Sequence, residues 1–132
     1  LPQVEEAGGV PAGDELPGLD SSIRVIEIEG AFFFGSASQL LDRVDQVIGT
    51  RVVVFDCSRV PFMDLSAQFA LEEMIEGLHA QSIAARVVVP TEIHAQLLRL
   101  GAPQLPAEIL HDELDRALAE ARRVAAAMPQ PG

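Results

Sequence analysis

Lysine is absent, and all nine basic residues are arginine. That removes chemistry needing a side-chain amine: a Walker A phosphate loop, a Schiff-base lysine, a lysine beside a phosphorylated aspartate. Tryptophan and tyrosine are missing too, so platforms for stacking bases or sugars are poorly supplied. The single cysteine, Cys57, excludes an intrachain disulfide and a cysteine metal cluster, and is compatible with a reducing cytoplasm. Positive charge is scarce. The formal net charge is −11, and the arginines stand singly apart from Arg122-Arg123. Nucleic acid needs a cationic footprint that is not here, and anionic lipid would repel such a surface. No apolar run approaches the roughly 20 residues that span a bilayer. The N-terminus lacks the basic start and apolar stretch of a secretory signal. The expectation is a soluble globular piece, and Leu1 in place of Met fits a processed chain or a domain of a longer protein.

What is present is an ordinary one-domain complement: 132 residues, 48% of them hydrophobic, enough for a core at this length. Residues 1–20 carry Gly, Pro and acids without a sustained apolar period, the composition of a flexible linker or arm. A domain is expected over 21–128, and residues 129–132 read as a disordered tail.

Strand and helix patterns alternate through the domain. "IRVIEIE" predicts a strand over 23–29 with Arg24, Glu27 and Glu29 outward. "SASQLLDRVDQVIG" puts Leu40, Leu41, Val44, Val47 and Ile48 on one helical face, stopped by Gly49. "RVVVF" is a continuous apolar run, as in strands buried on both faces. "DLSAQFALEEMIEGLHAQ" sets Ala67, Leu71, Met74, Ile75 and Leu78 on one stripe and Glu72, Glu73 and Glu76 opposite. "ARVVVP" is a second buried strand, and "TEIHAQLLRLG" a short helix with Thr91 as N-cap and Gly101 as stop. "PAEIL" fits a short edge strand; "HDELDRALAEARRVAAAM" is a helix with Leu114, Leu118, Ala121, Ala125 and Met128 inward. The order β-α-β-α-β-α-β-α predicts an α/β fold: a mainly parallel or mixed sheet of about four to five strands with four or five packed helices.

Candidate chemistry is sparse. Asp56 closes an apolar run, where α/β sheets gather their sites, but no acidic pair follows the first strand. A hydrogen-bonded turn residue is the simpler role. Cys57 and Ser58 are placed in the loop after it, and neither has a base marked by local sequence. His79, His94 and His111 lie on different elements without metal-ligand spacing and read as surface or cap residues. "AFFFGSAS" could expose helix-start amides at Gly35 and Ser36 to an anion, or the phenylalanines pack inward while Gly35 permits a turn. Asp64 has the spacing of an N-cap. Pro61, Phe62 and Met63 form either an apolar patch or buried core. No catalytic residue, metal ligand or cofactor is assigned.

"VVVFDCSRVPFMDLSAQFAL" resembles the central motif of STAS domains, shared by sulfate transporters and anti-sigma-factor antagonists. "IEGAFFFGSASQL" resembles the segment of the transporter branch. Together they extend the resemblance over about residues 23–127. In the antagonist branch the helix opens with Asp, a phosphorylatable Ser, Ser and Gly. Here Asp64 takes the acid, Leu65 the phosphoacceptor, Ser66 the second serine and Ala67 the glycine. Leucine has no hydroxyl to phosphorylate. "LDSSI" at 19–23 holds Asp-Ser-Ser in the wrong context, before a strand. The resemblance therefore implies a non-catalytic cytoplasmic regulatory or assembly domain of a SulP-type transporter (the solute carrier family 26 relatives). The transporter would carry sulfate, bicarbonate or a dicarboxylate through a transmembrane domain of the same chain, often as a homodimer, at the inner membrane. The alternative it implies is a free-standing partner-switching antagonist. The contact surface expected is Asp56, Arg59, Pro61, Phe62, Met63, Asp64, Leu65 and Ser66. Nucleotide binding has been proposed for the family, but no phosphate loop supports it here. Neither nucleic acid nor direct lipid binding is expected.

Overall fold

Valine and isoleucine dominate two segments, and β-branched side chains favour extended backbone that packs on both sides of a sheet. The computed structural model describes residues 22–29, 49–102 and 105–128. Among these, four strands lie in the order β1 (Ile23–Glu29), β2 (Val52–Arg59), β3 (Ala84–Val88) and β4 (Leu110–His111), and all three neighbouring pairs are parallel. Helices α1 (Leu65–Ala80), α2 (Thr91–Leu100) and α3 (Leu114–Ala127) follow β2, β3 and β4. The α/β class and the parallel sheet agree with the sequence pattern. The helix expected over 36–48, the arm at 1–20 and the tail at 129–132 lie outside the described residues.

Side chains alternate across the pleat and divide the core in two. On one face Ile26, Ile28, Val53, Phe55, Ala85 and Val87 pack with Leu71, Met74, Ile75 and Leu78 of α1 and with Ile93 and Leu97 of α2. On the other, Ile23, Val25, Val52, Val54 and Val88 meet Ala117, Leu118, Ala121 and Ala125 of α3. The stripe predicted for α1 is buried in full, and the small side chains of α3 let it sit close to the sheet. Two successive crossovers, through α1 and α2, fall on the same face. An unreversed strand order of constant hand requires this. Because the order of the described strands never reverses, they form no switch-point crevice, the usual ligand position in open α/β sheets.

Four local expectations need correction. Strand β2 continues through Asp56, Cys57 and Ser58 to Arg59, so these residues belong to the sheet, not to a loop; pairing of Glu27 with Asp56 and of Glu29 with Arg59 carries the ladder on. Arg24 and Glu27 are half-buried, not outward; three residues apart, they sit on opposite faces of a strand covered on both sides. Pro90, not Thr91, is the N-cap of α2, with no side-chain bond to the free amides. "PAEIL" opens as a 3-10 turn, Ala107–Ile109, before the two-residue β4. Gly101 does end α2, in the left-handed conformation (φ 64°) that favours glycine.

Candidate protein-interaction surface

The chain leaves β2 through a tight turn in which the Val60 amide donates to the Cys57 carbonyl at 3.0 Å. Val60 and Met63 point into the core while Pro61 and Phe62 face out. The patch expected from Pro61, Phe62 and Met63 is therefore split: Met63 is core, and Phe62 is 49% exposed. These two anchors fix the direction in which the chain enters α1.

Asp64 then caps the helix. Its backbone is extended (φ −79°, ψ 171°), and its Oδ1 accepts from the Ala67 amide at 2.8 Å. That bond satisfies one of the donors every helix start leaves open, worth about 1 kcal/mol. Buried Gln68 reaches back from the next turn, its Nε2 donating to the Met63 carbonyl at 3.5 Å. The loop and the helix start are thus tied to each other by side chains from both.

With the start held, its outer side is apolar. Leu65 is 55% exposed and Phe69 60% exposed. Four residues apart, they share one helical ridge, and exposed Phe62 lies in the loop just before the helix. Ser66 is exposed beside them, and Arg59 and Asp64 are exposed at the edge. Farther along α1 the outward positions become Glu73 and Glu76. Sequence reasoning missed Phe69. The signal was available, since Phe69 lies off the buried stripe and four residues from Leu65.

Asp56 is not part of this surface. It is nearly buried (7% exposed), and its Oδ1 accepts from the Ser58 amide at 3.1 Å and the Ser58 hydroxyl at 2.7 Å. Its role is local, tying the last residues of β2. Cys57 is fully buried, and burial followed by the Asp56 carboxylate pushes its thiol far above the usual range. A thiol held protonated is no nucleophile. Gly35 and Ser36, the expected anion-facing helix start, lie outside the described residues. Among the described residues no group of three or more His, Cys, Asp or Glu side chains is arranged to hold a metal, and no helix is long and apolar enough to cross a membrane.

The family model of the STAS domain matches residues 17–120. The chain belongs to the STAS-domain family. Among solved structures, this STAS domain is similar to a sulfate transporter family protein from Wolinella succinogenes, at 27% identity and TM-score 0.70, over 83% of this chain and 92% of that one. It is also similar to the SulP transporter STAS domain from Vibrio cholerae, at 23% identity and TM-score 0.70, over 96% and 95%. An anti-sigma factor antagonist from Mycobacterium paratuberculosis matches at 21% identity and TM-score 0.62, over 87% and 96%. The last two likenesses speak for the fold alone. No curated protein matches by sequence. Transporter domains and antagonists thus share the fold, and the difference between the two roles has to be sought in individual residues.

Proposed function

We propose that this STAS domain is the non-catalytic regulatory and assembly domain of a SulP-type anion transporter, on the cytoplasmic face of the membrane, and that it works through contacts made at the start of α1. One observation carries the proposal. Leu65 is exposed in the first turn of α1, directly after the capping Asp64, where the antagonist branch would carry its phosphoacceptor. A phosphate adds nearly two negative charges and dismantles an acidic interface; leucine offers an apolar contact that no kinase can gate. Exposed Phe69, one turn on, extends that contact, and Phe62 is exposed in the loop before it. The similarity to the Wolinella succinogenes sulfate transporter family protein points the same way. On this reading the transmembrane domain of the same chain is the partner, the full-length protein is a homodimer, and no cofactor takes part. The transported anion, of the sulfate, bicarbonate or dicarboxylate class, is selected outside this domain.

The coding sequence upstream of Leu1 tests this. A series of apolar spans of about 20 residues each supports the transporter reading. A start codon close to Leu1, with no spans, removes it. The antagonist reading keeps one supporting feature, the exposed hydroxyl of Ser66 beside Leu65. Labelling of Ser66 by a cognate kinase would favour it; an active kinase that leaves Ser66 unlabelled would not.

A further inference from the structure

A polar region lies at the carboxyl end of β4. A cavity of about 280 Å³ is lined there by His94, Leu110, His111, Asp112, Glu113 and Arg116. His94, in the first turn of α2, pairs through Nδ1 with Oδ1 of Asp112 in the connection from β4 to α3. His111 belongs to β4 itself and lies in register with Val88, on the α3 face of the sheet. Its carbonyl accepts from the Val89 amide at 3.0 Å, one of few bonds holding a strand of two residues.

The imidazole of His111 is poorly placed for a second proton. Its Nε2 is shut away from solvent and has no hydrogen-bond partner. A neutral ring protonated at Nδ1 tolerates this, because Nε2 then presents only a lone pair. The imidazolium would turn Nε2 into a buried donor with no acceptor, and such a donor is costly. The charges around the ring come from every packed element: Arg86 on β3, His94 on α2, Glu120 on α3 and Asp112 in the connection, with Glu113 and Arg116 lining the cavity. The two acids that favour a proton on the ring are already engaged. Asp112 holds His94; Glu120 Oε1 is 2.7 Å from Arg123 Nη2 and 3.6 Å from Arg86 Nη2. Burial, then Arg86, keeps His111 below the ordinary imidazole range; Glu120 opposes this, His94 adds to it, and Asp112 opposes it least.

We propose that His111 is a proton-operated latch: neutral, it keeps β4 and the start of α3 docked on β3; protonated, it releases them. Because the folded state resists this proton, the unfolded or released state binds it first. Stability is therefore complete above about pH 6.5 and declines as pH falls from there toward the folded midpoint. The released element is the edge strand among the described residues, not the central sheet, so the response is local.

The wild-type 132-residue chain serves for the test, with histidine-ring NMR titration and amide hydrogen exchange between about pH 8 and about pH 5. Exchange rates are corrected for the intrinsic effect of pH, with Val54 of β2 as the internal reference. The His111 ring should titrate below about pH 6.5. Protection of the Val89 amide should fall several-fold between about pH 6.5 and the ring's midpoint and level off below it, while that of Val54 holds. Glu120→Gln, which removes an opposing acid, should move the step to lower pH, and His111→Gln should abolish it. A His111 midpoint at or above the ordinary range, or Val89 protection indifferent to the ring's proton, would overturn the latch. Should His111→Gln fail to fold, the wild-type protection curve still decides, by whether its decline ends at the ring's midpoint.

Discussion

Helices α1 and α3 both start at the carboxyl end of a strand in one sheet, yet they are held in opposite ways. At α1 the cap is local: Asp64 accepts from the Ala67 amide, and Val60 and Met63 anchor the approach. At α3 the N-cap residue Glu113 makes no side-chain cap bond, and nearby His111 is surrounded by groups from β3, α2, the connection and α3 itself. A start secured by its own side chain can leave its outer face apolar and unchanging. A start that depends on tertiary charges responds to pH. The first suits a constitutive contact, the second a conditional one.

The largest effect is expected in the core beneath α1. Leu71 is fully buried against the sheet, and Leu71→Ala should cost about 3 kcal/mol in urea unfolding, from lost burial and the cavity left behind. Next is crowding beneath α3. Ala121 is fully buried at the sheet, and Ala121→Leu should destabilise by about 1–3 kcal/mol, because the helix can only move away. The caps give a smaller contrast. Asp64→Ala should cost about 1 kcal/mol, while Glu113→Ala should change stability by less than about 0.5 kcal/mol, since its link to Arg116 at 3.7 Å is exposed. Equal losses would mean that α1 is not specially secured. Least affected should be Phe69→Ser. The side chain is largely exposed, so stability should stay within about 0.5 kcal/mol, while on the proposed reading binding to a separately expressed transport domain should be lost in a pull-down.

Much of this architecture was legible because valine-rich runs and helical stripes report burial directly. The α1 stripe and the Asp64 cap both follow from spacing. Residues near the sheet's end were harder. Asp56, Cys57 and Ser58 look like a loop because Asp and Ser favour turns, but the ladder to β1 extends the strand through them. Thr91 looks like a cap because of its hydroxyl, yet the helix begins one residue earlier, at a proline with no side-chain donor or acceptor. Met63 and Phe62 are equally apolar neighbours, and only tertiary packing sends one inward and the other out. The environment of His111 had no sequence signature, since Arg86, His94 and Glu120 converge on it from separate elements.

On the proposed reading, the exposed start of α1 touches the membrane domain of a transporter without phosphate control. A photo-crosslinking residue placed at Phe69 in the full-length protein, in its own cells, tests it most directly, with the same residue at exposed His79 as control. A crosslink from position 69, and not from 79, to a cytoplasmic segment of the transporter's membrane domain is expected. A crosslink from position 69 to a soluble kinase or anti-sigma factor, or equal yields from both positions, would contradict it.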